Sequence, residues 1–195
     1  MTVATTPRIA IGAAALVGLA ALGGVGAVLR NDAKTSPPAT GFDVTVVATT
    51  TAAPRSDADL ARLMSLLPAG YDDSNCAAVD NPPKDSLATV DCDQNSLPNG
   101  PTSGRFSLYP DVATLDAHFQ TAAGEDQIQQ CPDGIESPGT WHYTSSPDVP
   151  AGRLVCGTYE GDPDVVWSQN DRLLLGNLQG SDLQTIYTFW KNNTK

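Results

Sequence analysis

His118 and His142 are the two imidazoles of this chain, and either could serve as a general base if a carboxylate oriented it and a nucleophile lay within hydrogen-bond reach. Asp116 and Asp148 are the nearby acids such a site would use. No G-x-S-x-G, H-E-x-x-H, P-loop or Rossmann fingerprint accompanies them, and the glycines of Gly23 to Gly26 fall inside an apolar run. No catalytic residue is assigned on this basis. An envelope enzyme of unknown reaction using His118 or His142 stands as an alternative reading.

Two acidic patterns call for a cation test. Asp91, Asp93 and Asn95 open like a calcium loop, but the sixth position is Ser96 instead of glycine and the twelfth is Thr102 instead of glutamate. Glu160, Asp162 and Asp164 alternate in EGDPD, which a solvated hairpin turn explains more simply. No metal ligand and no cofactor is expected. The aromatic triplet Trp141, His142 and Tyr143 lies in a Pro/Gly-rich stretch and is the candidate ligand- or partner-binding surface, because exposed aromatics anchor interfaces.

The four cysteines carry the other chemistry. Cys76, Cys92, Cys131 and Cys156 contain no C-x-x-C pair, so zinc ligation fits poorly, whereas an even count in a small domain fits two disulfides in an oxidising compartment. Four cysteines allow three connectivities; the pairing nearest in sequence, Cys76 with Cys92 and Cys131 with Cys156, is preferred because each bridge then staples a loop to an adjoining strand.

The compartment reading rests on the amino-terminal part. Ile9 to Leu29 is uncharged and bounded by Arg8 and Arg30, and as a helix it would cover roughly 30 Å, the hydrocarbon thickness of a bilayer. Its Ala/Gly-rich composition also suits a cleaved signal peptide, with Val25 and Ala27 as the small residues before the cut. The expected organisation is a cytoplasmic terminus (1–8), a transmembrane helix or signal peptide (9–29), a Thr/Pro/Ala-rich tether (30–55) and an extracytoplasmic globular domain (56–195). The expected location is therefore the cell membrane with the carboxyl-terminal domain outside, or secretion after cleavage. All 22 acids follow residue 30, and the net charge of −11 over 195 residues argues against nucleic acid as a partner.

The elements that must position these residues are legible in outline. Ser56 or Asp57 can cap a helix carrying Leu60, Leu63, Met64 and Leu67, ended by Pro68. Leu87 to Cys92 and Gly104 to Tyr109 read as strands, followed by a helix from Pro110 or Asp111 to Gly124 with Val112, Leu115, Phe119 and Ala122 on one face. The stretch from Glu125 to Pro150 reads as an irregular loop with one short strand near Thr140 to Thr144. Arg153 to Tyr159, Asp164 to Ser168 and Arg172 to Leu178 form a meander, and Ser181 or Asp182 caps a last helix bearing Leu183, Ile186, Tyr187 and Trp190. The expected fold is α+β: an antiparallel sheet with helices packed on one face and two disulfides, preceded by the single membrane helix.

The run LLPAGY, Cys76, VDC, GRFSLYPD, SPGTW, GRLVCG, VVW and IYTFW, over residues 60 to 192, resembles the extracytoplasmic sensor domains of actinobacterial, including mycobacterial, receptor-type serine/threonine kinases. The Gly-rich loop, H-R-D and D-F-G of a kinase domain are missing, so phosphoryl transfer is not implied. The resemblance implies a non-catalytic module at the bacterial cell envelope that binds an extracytoplasmic ligand or protein. A regulatory partner subunit of a separate membrane kinase or transporter is a further alternative.

Overall fold

The computed structural model describes residues 56–194. The expected membrane segment and tether lie outside the described residues. No helix among the described residues is long and apolar enough to cross a membrane.

Three helices begin where a short polar side chain can receive an orphan backbone N–H. Ser56 caps α1 (Asp57–Ser65) by accepting from Asp59 N at 3.0 Å; Asp111 caps α2 (Val112–Glu125) and Asp182 caps α3 (Leu183–Asn193), accepting from Thr114 N and Thr185 N at 2.8 Å each. The strands are β1 (Cys76–Ala78), β2 (Ala88–Cys92), β3 (Ser103–Leu108), β4 (Gln127–Gln129), β5 (Gly139–His142), β6 (Pro150–Tyr159), β7 (Asp162–Gln169) and β8 (Leu174–Gln179). The irregular loop expected between α2 and β6 thus contains two strands. All join one antiparallel sheet in the order β1-β2-β3-β8-β7-β6-β4, with β5 paired to the first half of β6 and β4 to its second half. The β6–β7–β8 meander is present, and its first turn is Glu160–Gly161, both at positive φ (53° and 98°) as tight hairpins require.

Period-two alternation divides the sheet's two faces. Val90, Phe106, Leu178, Val165, Trp167 and Leu154 point to the face covered by α1 and α3, where Leu63, Ile186, Tyr187, Phe189 and Trp190 complete the main core. Val155 and Val166 point the other way and meet Phe119 and Ala123 of α2. The expectation that all helices pack on one face is therefore corrected. The strand β7 is apolar on both sides, Val165 and Val166 being consecutive and both buried, so each side requires a helix.

The disulfides are Cys76–Cys92, directly across β1 and β2, and Cys131–Cys156, which ties the loop after β4 to β6. This is the preferred pairing, and no cysteine among the described residues is free.

Candidate functional site

The face carrying α2 is only partly covered. The helix rests on β6, β7 and β8 through Val155, Val166 and Leu175, while beside it β2 and β3 present the exposed Asp91 and Arg105 and the buried Ser107. The space between these residues and α2 is a cleft of about 610 Å³. Its mouth carries Arg105, which clasps Asp91 through two hydrogen bonds, Nε to Oδ1 at 2.6 Å and Nη2 to Oδ2 at 2.8 Å, with both side chains about half exposed. One wall is made by His118 of α2 stacked on Tyr109, ring centroids 4.5 Å apart. Burial pushes the Tyr109 hydroxyl up to about 12, so it stays protonated.

The inner end holds two carboxyl groups. Asp164, at the start of the buried part of β7, is 0% exposed, and Asn177 Nδ2 donates to its Oδ2 at 2.9 Å. Asp126, the residue that ends α2, reaches it over Gly157, which pairs with Asp164 across β6 and β7. A Cβ at position 157 would lie 2.7 Å from the Gln127 carbonyl oxygen and 3.2 Å from Asp126 Cβ, so only glycine lets the end of α2 settle here. Asp164 Oδ1 and both Asp126 oxygens are buried, and among the described residues no N–H group donates to them. Loss of water, and then the neighbouring Asp126 charge, raises the Asp164 carboxyl to about 8. Burial raises Asp126 as well, opposed by the hydrogen bond between the two side chains and assisted by Glu125. At neutral pH the two acids therefore share a proton. Unlike a solvated turn, this corner keeps only Glu160 and Asp162 in water; the expectation fails for Asp164.

The residues singled out from sequence fall elsewhere or play other parts. Trp141 is not an exposed surface: it is 5% exposed, its Nε1–H donates to Ser168 O at 2.8 Å, and its ring meets Trp190 edge-on at 5.8 Å. The reason is again alternation, which turns Trp141 toward the core opposite Gly152, where a side chain would collide with its indole nitrogen. Tyr143 packs on Trp141, donates to Asp171 and accepts from the Gln169 amide, while His142 sits half-buried at the irregularity in β5. The triplet is thus an anchor for β5. His118 lines the cleft, but Asp116 bonds Arg153 and Gln120 instead of orienting it. Asp91 is engaged by Arg105, and Asn95 binds the backbone of Ala69 and Leu97, so the calcium-like pattern does not converge.

Asp126 was missed, and Asp164 was read only as part of a solvated acidic turn. The signal for Asp164 is an acid abutting the continuous apolar run Val165-Val166-Trp167, where a strand buried on both faces leaves a carboxylate no solvent. For Asp126 there is no local signal, since its partner is set by how α2 docks. Comparisons with family models, with curated proteins and with solved structures found no match to this chain.

Proposed function

We propose that this chain is a non-catalytic, sensor-like binding module of the bacterial cell envelope that receives a small polar molecule in the cleft beside α2. The observation that carries this reading is the cleft itself: about 610 Å³, within the usual range of ligand sites, walled by hydroxyls, Arg105 and buried carboxyl oxygens with unused acceptor capacity. The two disulfides support export to an oxidising compartment, and residues 9–29 would supply the anchor or the export signal. The resemblance to receptor-kinase sensor domains points the same way.

The test is a ligand-observed NMR fragment screen on the full chain, repeated with Thr121→Trp. Thr121 is exposed on α2 and borders the cleft, so an indole there fills the space without disturbing the core. Hits that bind the native chain and lose at least about tenfold in affinity to the variant support the reading. Hits indifferent to the indole, or an absence of hits, overturn it. A carboxyl-terminal reporter active only outside the cytoplasm is the expected result for the location.

A further inference from the structure

We propose that the ligand of this cleft is an organic cation, a primary ammonium on a short apolar body, whose N–H donors are received by Asp164 and Asp126. The inference rests on the cleft being a binding site and adds the chemistry it selects. Asp164 is wholly buried and lines the inner end of the cleft, its Oδ2 held by Asn177 and its Oδ1 shielded from solvent and without an N–H donor. Asp126 adds two more buried oxygens that receive no N–H and have only the proton shared with Asp164. Buried acceptors of this kind are matched either by a shared proton or by donors that a ligand brings.

The surroundings favour a cation. Asp91, Asp93, Glu125, Asp126 and Asp164 line the cleft against one guanidinium, Arg105, and that guanidinium is already paired with Asp91. A divalent metal fits less well, because Asn177 presents an N–H to the site and the described residues offer no group of three metal-ligating side chains. Val166, Leu175 and Ala122 lie beside the acids and suit a hydrocarbon body.

Binding would exchange one proton for one ammonium: the pair gives up its shared proton to solvent, passing from one negative charge to two, and the ligand's positive charge replaces that of the released proton. Besides each other, Asp126 feels the Glu125 charge and Asp164 receives Asn177, while Arg105, Asp91, Asp93, His118, Tyr109 and Tyr159 are the other charged or titratable groups lining the cleft. Affinity for the ammonium should then rise as pH rises toward the range in which the pair loses its proton.

The experiment titrates the full chain with n-butylammonium and 2-phenylethylammonium, with n-butanol, 2-phenylethanol and butyrate as neutral and anionic controls, and with calcium chloride alone. The expected result is saturable shifts of the Asn177 side-chain amide and the Gly157 N–H with the ammonium probes. Their affinity should be about tenfold tighter near pH 8.5 than near pH 6 and be lost in Asp164→Asn. Asp126→Asn, on the half-buried partner, repeats the measurement should the first variant fail to fold. Controls that bind as tightly as the ammonium probes would leave the cleft reading standing and overturn the cation; calcium binding that displaces the probes would overturn it in favour of a metal. Shifts by no probe or control, together with an empty fragment screen, would remove both readings.

Discussion

Asp164 lies between β6 and β8 with one oxygen fixed by Asn177 and no water around the other, and such a carboxyl keeps its proton far above the usual range. The group titrates near 3.8 in an unfolded chain and near 8 when folded. Between those limits the folded state holds a proton that the unfolded state has released, so the contribution of this group to stability is fully present below about pH 4, falls as pH rises and levels off above about pH 8. The cap carboxylates act in the opposite sense: Asp111 is lowered by N–H and hydroxyl donation from Thr114, and Asp182 by the hydroxyl and N–H of Thr185. Their contribution is lost only as pH falls below the ordinary carboxylate range, outside this window. We expect the unfolding free energy of the native chain to decline across that window by a few kcal/mol, and that of Asp164→Asn to change far less. Equal slopes for the two proteins would show that the acid pair is not the group responsible.

Among the elements, β8 and β7 show how a sheet makes room for its largest side chain. Gly176 pairs with Trp167, and a Cβ there would lie 2.3 Å from two atoms of the indole. Phe106 flanks the same ring edge-on at 6.1 Å, so the indole has little freedom to retreat. Gly176→Ala should cost about 1–3 kcal/mol through overpacking, visible as a lower thermal midpoint with unchanged far-ultraviolet dichroism; native-like stability would mean that Trp167 repacks without strain. The longer elements were legible because their cues are local: the Asp111 and Asp182 caps, the apolar spacing of α1 and α3, and the alternation of β2 and β3. The three-residue strands β1 and β4 were not, since three residues cannot display a period. The side on which α2 packs was also misread, although the unbroken Val165-Val166-Trp167 run carried the information.

At the scale of the molecule, two covalent links brace opposite ends of the sheet: Cys76–Cys92 joins β1 to β2 at one margin, and Cys131–Cys156 holds the loop after β4 near the other. They close separations of 16 and 25 residues, each worth about 3 kcal/mol by restricting the unfolded chain. Replacing Cys131 and Cys156 by alanine should lower unfolding free energy by about that amount, and mass spectrometry of the unreduced native chain should find no free thiol among the four. Four free thiols with undiminished stability would remove the argument for maturation in an oxidising compartment.

The order of residues along the chain was enough to specify the α+β class, the three helix starts, the central strands and a sensible cysteine pairing, because capping, periodicity and loop closure act between residues close in sequence. The cleft and its acid pair were decided by tertiary structure alone. Asp126 meets Asp164 only after α2 docks on the second face of the sheet and Gly157 lets its end approach. Trp141, conspicuous in sequence, was turned into the core by the register of β5 on β6. Burial and long-range pairing, which set both the charge state of the acids and the exposure of the aromatic, depend on which surfaces face each other across strands far apart in the chain.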